Sequence, residues 1–187
     1  MTKRCVQLGI AGMGYPKELG GTMPPDYDAF YELIMVDEMA RAGGGHVMGQ
    51  GAINSMALPP ILNYGSDYLK NLVARDVIQG RKHICLAISE PQAGRFCSKV
   101  GCAFFVFRNS ALRICPRSDV AGIRTTAVLQ GDEYVVNGQK KWITGGSMAD
   151  YFTTVVRTGE DGMGGISLLL IERDRPGLEN YKLCFVI

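Results

Sequence analysis

The sequence predicts an α+β protein in which a helical segment is followed by an antiparallel β-sandwich or barrel domain. Two observations predict this fold class. Apolar residues in the first half recur at helical spacing, whereas the second half contains several short strand-like runs with turns at regular intervals. The predicted domains are therefore a helical domain at residues 1–83 and a β-domain at residues 84–187.

Three helices are predicted in the first domain. In the first, Asp26 or Asp28 can accept the free N–H groups of the first turn, and a run of glycines after Arg41 ends the helix. The second covers residues 46–58 and stops at two prolines, and the third begins at Ser66 as N-cap. Their apolar residues gather on one side, so each helix is expected to pack against a partner surface.

The second domain changes to strand-like periodicity. One segment, Asn137-Gly138, is typical of a two-residue hairpin turn, because both central positions of that turn need positive φ. Residues 139–144 are therefore expected to pair back onto residues 134–136. Further strands are predicted at residues 84–89, 125–130, 151–157 and 166–172. A turn at residues 131–133 is predicted to return the chain from strand 125–130 into residues 134–136.

Composition and charge exclude several classes of function. Net charge is +2, from 20 basic and 18 acidic residues, which gives no electrostatic case for binding nucleic acid or an anionic membrane. The apolar runs are too short to span a bilayer, and no targeting segment is visible. Six cysteines without CxxC spacing and only two histidines predict no metal site and indicate reduced, intracellular thiols.

Four segments rise above this background. They are SEPQAG at residues 89–94, SDVAGIRTTA at 118–127, GDEYVVNGQKKWITGG at 131–146 and ADY at 149–151. Together, and in this order, they resemble the motifs of the acyl-CoA dehydrogenase family. The upstream segments LGIAGMGYPKELGG and FYELIMVDEMARAG also resemble that family's N-terminal helical domain. The resemblance covers nearly the whole chain except residues 95–117 and the last six or so, and it implies that the β-domain is the family's middle domain.

The resemblance implies an FAD site on this β-domain. In the family one wall of the domain faces the flavin ring, and the acyl-CoA thioester lies on the ring's other face. Trp142 matches the tryptophan that packs on the flavin, and Thr144 matches the residue that bonds near flavin N5. Ile143 lies between them.

A second segment and a split motif complete the implied site. Leu86 and Ile88 match the strand that lies along the flavin, and Ser89 matches the donor to its pyrimidine end. Gly94 is expected to contact FAD. Ser118 matches the serine where FAD and acyl-CoA meet, so it is expected to bind both cofactor and substrate.

The implied reaction is α,β-dehydrogenation of an acyl-CoA. A carboxylate base removes the α-proton, and the β-hydrogen leaves as hydride to the flavin. No residue here is assigned as that base, because the family's C-terminal helical domain supplies it and the sequence contains no such region. Family membership further implies an electron-acceptor protein or oxygen as partner, a homo-oligomer, and a mitochondrial or cytoplasmic location.

The sequence departs from the family where residues 95–117 separate Gly94 from Ser118. This segment holds four phenylalanines and three cysteines but no acidic residue. We interpret it as an unremoved intervening sequence, with a genuine surface insertion as the alternative. The chain is therefore expected to be a truncated, inactive fragment that binds flavin weakly or not at all.

Two other functions stay open at this point. The β-domain could be a non-catalytic module that holds acyl-CoA or flavin, or the chain could be related to acyl-CoA oxidases, which pass electrons to oxygen. The length and branching of the acyl group are not predicted by any residue of this sequence.

Overall fold

A computed structural model describes residues 2–43, 55–91, 106–107, 110–111, 120–181 and 184–186. The chain divides into two compact units. The first unit contains Met1–Leu86, Thr144–Thr153 and Leu170–Arg175, and the second contains Ala87–Ile143, Thr154–Leu169 and Pro176–Ile187. The predicted division at residues 83 and 84 stays a prediction.

The described residues of the first unit form four α-helices: α1 (Thr2–Gln7), α2 (Ala29–Arg41), α3 (Pro59–Tyr64) and α4 (Asp67–Ile78). Two predicted helix starts are confirmed. The Asp28 carboxylate accepts the Phe30 N–H at 2.9 Å, and the Ser66 hydroxyl accepts the Leu69 N–H at 3.3 Å. The helix predicted at residues 46–58 falls largely outside the described residues.

The core of the first unit is built on α3 and α4. Val73 and Val77 of α4 are buried, as the predicted apolar side of this helix requires. They pack in one cluster with Ala57, Leu58, Ile61, Ala74, Ile78, Ile84 and Tyr151. By contrast α2 has no buried residue, and Phe30 on its apolar side is 69% exposed. Burial therefore holds α4 in place, whereas α2 depends on its own cap and local ion pairs.

The strands within the described residues form three sheets. The largest has the order β1 (Ile84–Ala87), β7 (Tyr151–Arg157), β4 (Thr126–Gln130) and β5 (Glu133–Asn137), with β8 (Ile166–Glu172) paired to β7. A second sheet has the order β6 (Gln139–Lys141), β10 (Cys184–Val186), β9 (Glu179–Tyr181), and a small ribbon pairs β2 (Val106–Phe107) with β3 (Ser110–Ala111). The predicted α+β class is confirmed, and β7 and β8 have the predicted bounds.

Two features of the sheets differ from the prediction. Thr126 of β4 pairs with Arg157 of β7 in parallel, so the main sheet is mixed and not purely antiparallel. The predicted hairpin at Asn137-Gly138 is wrong, because β6 pairs with β10 and β5 pairs with β4. The turn predicted at residues 131–133 is confirmed, because β4 and β5 pair across it and Gly131 has a φ of 64°.

The environment of Gly138 explains why the hairpin prediction is wrong. Gly138 does not have the positive φ of a hairpin turn. A glycine is needed there because the Thr125 side chain lies very close to the position that a Cβ would occupy. A Cβ atom there would lie 2.3 Å from the hydroxyl oxygen of Thr125. Any larger residue would therefore collide with the start of β4. The Asn-Gly pair marks a tight contact between two segments of the second unit.

Within the described residues, no helix is long and apolar enough to cross a membrane. Of residues 95–117, only the backbones of β2 and β3 fall inside the described residues. The predicted interruption of the middle domain therefore stays a prediction.

Candidate functional site

Trp142 follows β6 and has an unusual backbone and an unusual exposure. Its φ is 59°, and it is the only non-glycine residue with positive φ in the part of the chain that the structure describes. A bulky side chain in this region carries a strain of about 1–3 kcal/mol, which the surrounding structure must hold in place. Its side chain is also 64% exposed. Such strain beside an open aromatic face is typical of a functional surface.

The residue two positions before Trp142 is anchored inside the second unit. Lys140 is fully buried, and its ammonium donates to Glu90 Oε1 at 2.8 Å and to the Ile88 carbonyl at 2.9 Å. The Glu90 carboxylate also accepts the backbone N–H groups of Arg124 at 2.7 Å and Thr125 at 3.0 Å. It accepts the Thr125 hydroxyl as well. One buried ion pair thus joins three separate segments of the chain.

Hydrogen bonding decides the charge state of Glu90. Burial alone raises the pKa of its carboxyl, but hydrogen bonds from Lys140, Thr125 and the Arg124 N–H outweigh burial and hold the pKa below its ordinary value. The carboxylate is therefore ionised and surrounded by donors. Because these donors hold its oxygens, Glu90 is a structural anion and a poor candidate for a general base.

Two of the segments predicted to contact flavin lie side by side in the second unit. The Lys141 N–H donates to the Ser89 carbonyl at 2.8 Å, directly before Trp142. Ile88 and Ser89 are half-buried, as is Ile143. The structure therefore brings Ile88, Ser89, Trp142 and Ile143 into one region, held by hydrogen bonds between the two segments.

The first unit holds two more of the predicted residues. Leu86 is half-buried and packs against the core cluster of that unit. Thr144 is exposed, and its carbonyl accepts the buried thiol of Cys85 at 3.0 Å. The remaining predicted residues, Gly94 and Ser118, lie outside the described residues.

The ADY motif has a structural role in the first unit. The Asp150 carboxylate accepts the His83 N–H at 2.8 Å, and the Asp150 N–H donates to the His83 carbonyl at the same distance. Tyr151 is buried, and its hydroxyl accepts the Lys82 ammonium at 2.9 Å. This motif therefore fastens the chain beside β1 and supplies no reactive group.

Sequence reasoning missed the roles of Glu90 and Lys140, although both lie inside the quoted motifs. Glu90 is the one charged residue between residues 84 and 94, but Lys140 is one of two adjacent lysines, and residue type does not distinguish it from Lys141. The left-handed backbone of Trp142, in contrast, has no signal in residue type, because tryptophan does not favour it. Together these residues can hold a flat apolar ligand, whereas acid–base chemistry must come from other groups.

Comparison with known protein families identifies the class. The N-terminal domain of acyl-CoA dehydrogenases matches residues 1–81, and the middle domain of the same family matches residues 116–183. The chain belongs to the acyl-CoA dehydrogenase family, as its motifs predict.

Individual relatives agree with this assignment. Acyl-CoA dehydrogenase AFT10-1 of Alternaria alternata is 36% identical over 167 residues, which are 88% of this chain and 33% of that relative. The crystal structure of a probable acyl-CoA dehydrogenase from Mycobacterium abscessus has a TM-score of 0.80 and 32% identity, over 99% of this chain and 46% of the other. The chain thus spans about a third of the first relative and under half of the second.

A third comparison concerns a structure with cofactor. An acyl-CoA dehydrogenase from Bacillus anthracis, solved in complex with FAD, has a TM-score of 0.74 at 22% identity, over 100% of this chain and 30% of the other. At this identity the likeness concerns the fold alone.

Proposed function

We propose that this chain forms the flavin-facing wall of an FAD-dependent acyl-CoA dehydrogenase, which carries out α,β-dehydrogenation of an acyl-CoA thioester. The observation that carries the proposal is Trp142, an exposed ring on a left-handed backbone beside a buried ion pair. A surface tryptophan in a strained conformation needs a reason, and a planar cofactor supplies one. Family membership gives that cofactor its chemical class.

The residues divide the work of binding. Trp142 offers its ring to the flavin, with Ile143 beside it and Thr144 near the N5 position. Ile88 and Leu86 supply apolar contact along the ring, and Ser89 donates to its pyrimidine end. For Gly94 and Ser118, which lie outside the described residues, the family motif alone supports a role: contact with FAD for Gly94, and contact with both cofactor and acyl-CoA for Ser118.

The wall itself has a limited chemical task. When bound, FAD accepts the hydride that leaves the β-carbon of the substrate. The chain's own residues orient the ring and cover one face of it against water. The base that removes the α-proton is not assigned to any residue of this chain, since the carboxylate of Glu90 is occupied by Lys140, Thr125 and Arg124.

Trp142 is the only tryptophan of the chain, so its fluorescence tests the proposal directly. FAD is titrated into the full chain, and a solution of N-acetyltryptophanamide at the same absorbance corrects for collisional quenching and light absorption by FAD. Weak but saturable quenching beyond that control is the expected result, because residues 95–117 separate Gly94 from Ser118 and should lower the affinity for FAD. Quenching that follows the control at every FAD concentration contradicts the proposal.

A second arm uses the flavin signal, because a Trp142→Ala variant has no tryptophan emission. Its affinity for FAD, measured by flavin fluorescence anisotropy, is expected to fall about tenfold, which corresponds to the roughly 1.4 kcal/mol expected for loss of an aromatic contact. Tyr64→Ala is the matched control, because Tyr64 is a large exposed aromatic residue at the end of α3. Equal affinities for Trp142→Ala and Tyr64→Ala would refute the assigned role of Trp142.

A further inference from the structure

The ion pair between Glu90 and Lys140 is the most deeply buried charged feature among the described residues. The two side chains are 3% and 0% exposed, with 2.8 Å between the ammonium and Glu90 Oε1. Burial of two charges carries a large desolvation cost, which their attraction only roughly offsets. A well-packed apolar pair could stabilise the fold as well. The ion pair therefore needs an explanation other than stability.

Its partners point to that explanation. Besides Glu90, the Lys140 ammonium binds the carbonyl of Ile88, the residue directly before Ser89. The next residue, Lys141, donates its N–H to the Ser89 carbonyl, and Trp142 follows. The proposed function assigns two segments to flavin binding, one containing Ser89 and the other Trp142. The side chain of Lys140 holds these two segments together next to the backbone hydrogen bond between Lys141 and Ser89.

The carboxylate extends this anchor to a third segment. Glu90 accepts hydrogen bonds from the N–H groups of Arg124 and Thr125, the two residues directly before β4. Thr125 in turn occupies the space that Gly138 leaves open, with 2.3 Å between its hydroxyl oxygen and the position of a Cβ on that glycine. The chain before Trp142 is therefore restrained at Gly138, at Lys140 and again at Lys141. This restraint is what a left-handed Trp142 requires.

We propose that Lys140, with Glu90 as its counter-ion, is a positioning residue that holds Ser89 and Trp142 in the conformation that receives the flavin. This inference rests on the proposed function for its ligand, but the positioning of Trp142 can be tested without flavin. Lys140 does not touch the cofactor in this proposal. It acts through the Ile88 carbonyl and the backbone that leads to Trp142.

The flavin-free test uses the full chain and its single tryptophan. Near-ultraviolet circular dichroism of the tryptophan band reports whether the Trp142 ring has a fixed environment. Lys140→Met is expected to lose most of this band at temperatures where far-ultraviolet circular dichroism shows a folded chain. Val156→Ala is the matched control, because it opens a cavity at a fully buried residue of β7 in the same unit and should keep the band.

The second readout is FAD affinity, with FAD itself as the probe. Lys140→Met is expected to bind FAD about tenfold more weakly than the wild-type chain, whereas Val156→Ala should bind as the wild type does. If Lys140→Met fails to fold, Lys140→Gln takes its place, since an amide can still donate one of the two hydrogen bonds. An intermediate band and an intermediate affinity are then expected.

The outcomes separate the two proposals. A folded Lys140 variant that keeps the wild-type tryptophan band and FAD affinity overturns the positioning role, even though the wild-type chain binds FAD. A wild-type chain that does not bind FAD overturns the proposed function, whereas loss of the band in Lys140→Met would still support the positioning of Trp142.

Discussion

The ammonium of Lys141 lies 5.8 Å from the centroid of the Trp142 ring. Its neighbour Lys140 is fully buried and points the other way, into the ion pair with Glu90. Two adjacent lysines therefore occupy opposite environments. One contributes a weak cation–π contact at the surface, and the other neutralises a charge inside the second unit.

This difference predicts very different costs of substitution. Lys140→Met should lower the free energy of unfolding by about 3–5 kcal/mol, because it leaves the Glu90 carboxylate buried without its counter-ion. Lys141→Met should change it by no more than about 1 kcal/mol, because only a half-exposed contact is lost. Urea unfolding of both variants measures the difference. Equal losses of unfolding free energy in the two variants would show that the buried ion pair contributes no more to stability than the surface contact of Lys141.

Gly138 should tolerate no side chain. Gly138→Ala places a Cβ 2.3 Å from the Thr125 hydroxyl oxygen, so the expected loss is about 1–3 kcal/mol from overpacking. Gly164→Ala is the control, because nothing lies within 4 Å of a Cβ at that position. Thermal unfolding of the two variants provides the comparison, and a stable Gly138→Ala would contradict the close approach.

Stability should fall in acid through Glu90. Its folded-state pKa lies below the ordinary value of 4.5, because hydrogen bonds from Lys140, Thr125 and Arg124 outweigh the effect of burial. A group with a depressed pKa contributes stability that is present above its unfolded pKa and is lost as pH falls through the lower folded pKa. The contribution of Glu90 should therefore be complete at neutral pH and decline below 4.5.

The measurement is the unfolding free energy of wild type and Glu90→Gln across this range. The difference in unfolding free energy between wild type and Glu90→Gln should be largest at neutral pH and should decrease as the solution becomes more acidic. Val156→Ala serves as control, since it changes no ionisable group. Its loss of unfolding free energy relative to wild type should stay the same across this pH range. A constant gap for Glu90→Gln would disprove the assigned hydrogen bonding.

Cys85 should be unreactive in the folded chain. Burial raises the pKa of its thiol to about 12, and the nearby Arg173 guanidinium opposes this only in part. The nucleophilic thiolate is therefore scarce at a pH of about 8. Iodoacetamide treatment followed by peptide mass spectrometry should find Cys85 unmodified in the native sample and modified in urea. Modification at equal rates in both samples would contradict its burial.

Removal of residues 95–117 should strengthen FAD binding, because Gly94 and Ser118 then become consecutive as in the family motif. The two family matches leave residues 82–115 uncovered, a range that includes the SEPQAG motif as well as most of residues 95–117, so the interruption stays a prediction. We expect about a tenfold gain in FAD affinity, or roughly 1.4 kcal/mol. A chain with residues 95–117 replaced by a Gly/Ser linker of equal length is the control. Weaker or unchanged binding after removal would favour a genuine insertion.

The sequence predicts local features of this fold well. Asp28 and Ser66 cap their helices as expected, because a capping side chain needs only its own next three residues. Strands β7 and β8 have the predicted bounds, since apolar runs between turn residues define them. Motif order then points to the family. These predictions succeed because their physical cause lies within a short stretch of chain.

Features that depend on distant contacts are not predicted. Glu90 and Lys140 are 50 residues apart, and nothing local indicates that their charges meet in the interior. Gly138 reads as a turn residue, whereas its requirement comes from Thr125 in another segment. The backbone of Trp142 is likewise set by its anchors and by no preference of tryptophan. The sequence motifs propose which residues form the candidate site, whereas the contacts that hold the described ones are visible only in the structure.

The exposed helix α2 has a consequence for how the chain opens. Since none of its residues is buried, it is held by the Asp28 cap and by contacts such as the exposed ion pair between Arg41 and Asp37 at 2.8 Å. Such surface contacts contribute only tenths of a kcal/mol each. The amide protons of α2 should therefore exchange with solvent through local fraying, long before those of α4. In this chain, therefore, a residue in a helix is not necessarily protected from amide hydrogen exchange.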